Sequence, residues 1–168
     1  GPIHAQRSAV YRARQANGEP YSLRINMSRA IAALHRDTSA QPLSFTAFDR
    51  DGRQQIVAAR PAMWGDAVIV RKDTPSSYHL AVVVDDARQG VTHVTRGSDL
   101  LAATHLHRLL QALLGLPAPE YHHHELVTDA SGQKLSKTYR SPSLADLRAN
   151  GATPEDVQRL AFATLDER

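Results

Sequence analysis

Between Gly90 and Gly115 the sequence changes period without an intervening loop. Val91 to Thr95 reads as a short strand, and Arg96-Gly97 leads straight into a helix start at Ser98-Asp99. Ala102, Leu106, Leu109, Leu110 and Leu113 then recur at the spacing of one helix face, until Gly115 with Pro117 and Pro119 stops the run. A strand that passes directly into an amphipathic helix buries both elements only where helices cover a sheet, so an α/β fold is expected. Leu80-Ala81-Val82-Val83-Val84 fits that expectation as a strand buried on both faces of a parallel sheet, ended by Asp85-Asp86. Leu126-Val127 is expected as a third short strand, followed by a turn at Asp129-Ala130-Ser131-Gly132.

The residues before this region read as β-rich. Tyr21, Leu23, Ile25 and Met27 alternate with polar neighbours, and Ser28 is expected to cap a short helix through Ile31, Ala32 and Leu34. Leu43 to Phe48 and Gln55 to Ala59 flank Asp51-Gly52, a hairpin signal, and Ala67 to Val70 is another short strand. In the tail, Ser143 with Asp146 and Thr153-Pro154-Glu155-Asp156 are the capping pairs of two helices. No internal repeat is visible. Gly1-Pro2 stands where an initiator Met belongs and is expected to be the remnant of a cleaved tag.

Composition narrows the possible functions. The 168 residues suit one domain, or one domain and a lobe, and 42% apolar with 22% charged residues argues against disorder. Cysteine is absent, which excludes disulfides, a thiol nucleophile and cysteine-ligated zinc. No stretch longer than 11 residues lacks Asp, Glu, Lys or Arg, against the roughly 20 apolar residues of a membrane-spanning helix. No basic-then-apolar leader is present, so a cytoplasmic location is expected. A net charge of +3 permits an anionic partner, whereas 5% aromatics argues against a stacking platform for single-stranded nucleic acid.

Three places offer chemistry. Arg96, where a strand gives way to a helix N-terminus, is a receptor for a carboxylate or phosphate, or else a structural ion-pair partner of Asp85, Asp86 or Asp99. Asp85-Asp86 itself reads as a turn and a helix cap. Gln133-Lys134-Leu135-Ser136-Lys137-Thr138 is a polar loop whose lysines suit triphosphate oxygens, or simply solvent. His105, His107 and the run His122-His123-His124 invite a metal, but adjacent strand residues cannot converge on one ion, so no metal site is expected. His79 and His93, set in apolar strands, are expected to be satisfied core histidines.

Tyr78-His79-Leu80-Ala81-Val82-Val83-Val84-Asp85-Asp86, then Gly90-Val91-Thr92-His93-Val94-Thr95-Arg96-Gly97-Ser98-Asp99-Leu100-Leu101, then Lys134-Leu135-Ser136-Lys137, resemble the glutamyl-tRNA synthetase family of class I aminoacyl-tRNA synthetases. The resemblance runs from about Gly18 to Pro154 and rests on three ordered motifs. It implies that residues 77–140 are the second half of a Rossmann-like catalytic domain with a KMSKS-like loop at 134–138. Residues 3–76 would then be the remainder of an inserted β-rich lobe, and 141–168 a short helical tail. The activity implied is ATP-dependent activation of glutamate, with Mg, followed by transfer to tRNA. Tyr78 and Arg96 match residues that hold glutamate. Lys137 matches the lysine that stabilises the reacting phosphates, and Lys134 joins it in ATP binding. Thr138 stands where the family has Ser.

The half-fold bearing the HIGH motif is expected to lie outside this chain, as are the zinc-site cysteines of many members. No anticodon-binding domain is expected after the loop. Such brevity resembles the short branch of the family, whose members place glutamate on the queuosine base in the anticodon of tRNA(Asp). On this reading the chain is inactive alone and carries no zinc. Two alternatives stay open: an inactive half-protein acting as a binding module, and a truncated glutamyl-tRNA synthetase.

Overall fold

A computed structural model of the chain describes residues 12–37, 42–129, 133–135 and 141–166. The expected strand at Tyr21–Met27 shortens to β1 (Leu23–Arg24), because Asn26 turns the chain into a helix. Its Oδ1 accepts the Arg29 N–H at 3.0 Å, while Asp66 Oδ1 accepts the Met27 N–H at 2.9 Å. Those two acceptors satisfy amides that a helix start leaves without partners. Helix α1 is therefore Met27–Asp37, and Ser28, expected as its cap, sits inside the first turn with its hydroxyl on Asn26.

The hairpin follows expectation. β2 (Ser44–Phe48) and β3 (Gln54–Ala58) pair antiparallel from Ser44↔Ala58 to Phe48↔Gln54. Asp49 Oδ1 accepts the N–H groups of Asp51 and Arg53, each at 2.9 Å, and Gly52 supplies the positive φ of 79° at the tip. β4 (Val68–Val70) pairs antiparallel with β1.

The run at 80–84 is not a strand. It lies in α2 (Tyr78–Gln89), with the Ser77 hydroxyl accepting the Leu80 N–H at one end and Gly90 in the left-handed region at the other. Five consecutive apolar residues satisfy either period, so the caps decide. Asp85 and Asp86 consequently lie on the helix rather than at a strand end.

β5 (His93–Gly97) begins two residues later than expected and passes through a 3₁₀ turn, Ser98–Leu100, into α3 (Leu101–Leu114). Ala103, Thr104, Leu106, His107, Leu109, Leu110 and Gln111 of α3 are all buried, whereas Leu113, expected on that face, is exposed. The third strand is β6 (Glu120–His124), not Leu126-Val127. Tyr121 is the reason: its ring lies 5.8 Å from that of Phe45 and its hydroxyl accepts from Gln111 Nε2 at 2.8 Å. Tyr121 is buried with its polar tip satisfied, whereas Leu126 and Val127 are only half-buried. The sheet runs β3-β2-β6-β5, with β6 parallel to β2 at Ala47↔Tyr121, beside the separate β1-β4 pair. The architecture is α/β, as expected.

The chain forms two compact units, residues 1–94 with 101–122 and residues 95–100 with 123–168. The core of the first is Met27, Ala30, Ala67, Val83, Leu106, Leu109 and Leu110. The second contains α4 (Leu144–Ala149) and α5 (Pro154–Asp166). Both expected capping pairs form there: Ser143 and Asp146 exchange bonds reciprocally, as do Thr153 and Asp156.

Candidate functional site

In the first unit, the Ser77 cap places Tyr78 in the opening turn of α2, where it is 52% exposed. Its ring lies 5.7 Å from that of His79 and 5.8 Å from that of His107. His79 Nδ1 and His107 Nε2 are hydrogen-bonded at 3.0 Å. Trp64 stands edge-on to His79 at 5.1 Å, and its indole N–H donates to Ala102 O at 2.6 Å. His79 is satisfied, as expected, but it is part-buried on a helix rather than in the core of a strand. His107 and Trp64 were not singled out as companions of Tyr78. The available signal was a histidine at a core position of α3, between Ala103 and Leu110, where an apolar residue would be expected.

In the second unit, Arg96 is half-buried near the carboxyl end of β5, and its Nε–H donates to His123 Nε2 at 3.4 Å. His123 therefore offers a lone pair at Nε2. Asp99, one of the partners considered for Arg96, pairs with Lys134. The Lys134 ammonium hydrogen-bonds this carboxylate and holds its pKa below the usual range. Gly97 follows Arg96 directly, and a Cβ there would meet both Asp99 and Leu126. Lys134 is presented by a turn in which Thr128 bridges Lys134 and the Gln133 N–H donates to Asp129 Oδ1 at 3.0 Å. Lys137, Ser136, Thr138 and the turn residues Ala130 to Gly132 lie outside the described residues.

The remaining histidines diverge. His122 Nδ1–H donates to Phe48 O at 2.8 Å, and His124 Nδ1–H to Glu125 O at 2.7 Å. His93, expected in the core, is exposed, with Glu120 at 3.6 Å, because β5 is an edge strand of its sheet. Among the described residues no group of three or more ligating side chains converges on a point. None of their helices is long and apolar enough to cross a membrane.

Residues 4–161 match the family model of the class I tRNA synthetases (E and Q), catalytic domain. The chain is 55% identical over 96 residues to a glutamyl-Q tRNA(Asp) synthetase of Rhodobacter capsulatus, covering 57% of this chain and 34% of that one. It is 40% identical over 146 residues to a protein of the same name from Symbiobacterium thermophilum, covering 87% of this chain and 41% of that one. The chain thus spans between about a third and two fifths of the length of these curated relatives. Among solved structures it is similar to a glutamate tRNA ligase from Elizabethkingia meningosepticum in complex with its amino acid, with 22% identity and a TM-score of 0.47 over 86% of this chain and 31% of that one.

Proposed function

The chain belongs to the class I tRNA synthetases (E and Q), as part of their catalytic domain, and from that premise we propose that it forms part of a ligase acting on glutamate, Mg-ATP and tRNA(Asp). The finer reading is transfer of glutamate to the queuosine base of tRNA(Asp). It is supported by relatives named glutamyl-Q tRNA(Asp) synthetase, including one 55% identical over 96 residues. The observation that carries the glutamate assignment is Arg96. Its Nε–H donates to His123 Nε2 at 3.4 Å near the end of a strand, and a planar guanidinium fork suits a carboxylate.

A carboxylate oxygen of glutamate attacks the α-phosphorus of ATP, and pyrophosphate leaves. The resulting adenylate then passes its glutamyl group to a hydroxyl of the tRNA base, and AMP leaves. Arg96 orients glutamate; for the Tyr78 phenol, glutamate contact is assigned by its family motif alone. Lys137 stabilises charge on the reacting phosphates, and Lys134 joins it in ATP binding. The protein needs to supply little covalent chemistry, so positioning and charge stabilisation carry the rate. A cytoplasmic location belongs to the same proposal.

The test uses the full-length protein. Arg96→Ala is expected to weaken glutamate by about 2–5 kcal/mol in pyrophosphate exchange, with ATP KM unchanged, since one member of a desolvated pair is lost. Arg96→Lys recovers only part, because an ammonium cannot form the fork. Intact glutamate KM with a sharply lowered melting temperature would make Arg96 structural. Glutamylation of tRNA(Asp) lacking queuosine at the rate of the modified tRNA would overturn the assignment of the acceptor.

A further inference from the structure

We propose that His107 is a positioning residue for Tyr78. This rests on the reading that the Tyr78 phenol contacts glutamate. His107 is 1% exposed on the core face of α3, where an imidazole must be hydrogen-bonded to offset its desolvation. Its bond to His79 requires that one of the two facing nitrogens carries the proton and the other a lone pair, which fixes the orientation of both rings. The Tyr78 ring lies against both locked imidazoles, at 5.7 and 5.8 Å.

The other end of the ring chain is anchored on the same helix. Trp64 packs on His79 and donates its indole N–H to Ala102 O at 2.6 Å. Helix α3 therefore holds the opening turn of α2 directly through His107 and indirectly, by way of Trp64, through Ala102, and His107 also meets Tyr78. Apolar packing alone would fill this space without fixing direction, whereas a hydrogen bond fixes it. Tyr78 is half-exposed in its turn, so its ring orientation depends on those two imidazoles more than that of an enclosed side chain would.

The experiment is glutamate and ATP kinetics of the full-length protein, beside thermal melts. His107→Leu is expected to raise glutamate KM roughly 10-fold, leave ATP KM unchanged and lower kcat far less, as befits a lost ground-state orientation. His79→Leu breaks the same bond from the other side and should do the same. His107→Gln, which keeps a hydrogen-bonding atom at similar reach, should recover most of the loss. Unchanged glutamate KM in a folded His107→Leu overturns the proposal. If that variant fails to fold, unchanged KM in His79→Leu overturns it instead. A His107→Gln variant no better than His107→Leu also overturns it, since the bond would then be irrelevant. Tyr78→Phe separates the two levels of inference. If it leaves glutamate KM intact, the assignment of Tyr78 to glutamate fails; if it raises KM while both leucine variants do not, only the role of His107 fails.

Discussion

Gly97 and Asp99 stand so close that a Cβ on Gly97 would lie 2.6 Å from Asp99 Oδ1, and 2.9 Å from Leu126 Cδ2. Both obstacles are side-chain ends, but Asp99 yields only by disturbing its pairing with Lys134. Gly97→Ala is therefore expected to destabilise the protein by about 1–3 kcal/mol, the range for overpacking. A urea melt checks this, and wild-type stability would show that the two side chains move aside freely.

The Asp99–Lys134 pair has a pH signature. Lys134 holds the Asp99 carboxyl below its ordinary 3.8. Its contribution is thus complete above the unfolded value and disappears as pH falls through the lower, folded value. Because the two side chains are 39% and 42% exposed, the pair is worth no more than about 1 kcal/mol and weakens with salt. Carboxyl NMR should place the Asp99 midpoint below 3.8, and Lys134→Met should move it up toward that value.

His105 works in the opposite region of pH. Burial lowers its pKa below 6.5, and the nearby Arg60 charge adds to the effect. Its Nδ1 accepts the Arg60 N–H at 3.1 Å, so the folded state keeps this nitrogen unprotonated. The unfolded chain takes up a proton near 6.5, which the folded state resists. Stability from His105 is therefore complete above 6.5 and is lost as pH falls toward the folded value. The urea midpoint should fall between pH ~7.5 and ~5.5, and less so in His105→Gln.

The tail caps offer a local test. Ser143→Ala removes the acceptor of the Asp146 N–H, and Thr153→Ala that of the Asp156 N–H. Each should speed amide exchange in its own helix by roughly fivefold, with little effect on the other. Exchange that rises equally in both helices would mean that they open together.

These caps were legible in the sequence because a capping box is closed within four residues and needs no tertiary partner. The hairpin at Asp51-Gly52 was legible for the same reason. The run at 80–84 was not, since its apolar residues fit a strand as well as a helix, and its Ser77 and Gly90 caps lie outside the run. β6 was hidden because Glu120-Tyr121-His122-His123-His124 has one apolar residue. Contacts outside the strand, with Phe45 far back in the chain and Gln111 on the preceding helix, make Tyr121 a core residue. At the site, Arg96 and Tyr78 were visible through their motifs. His107 and His123 were not, because each acquires meaning only from the residue it meets across the fold.

The parallel pairing of β2 with β6 also sets an order of events. β2 meets β3 across a short turn, but the His122 bond to Phe48 spans 74 residues. During synthesis the hairpin forms first and leaves one edge of β2 open until β6 has been made. An open strand edge recruits other chains as readily as its own. Self-association through this edge during refolding will therefore rise with protein concentration until β6 docks and covers it.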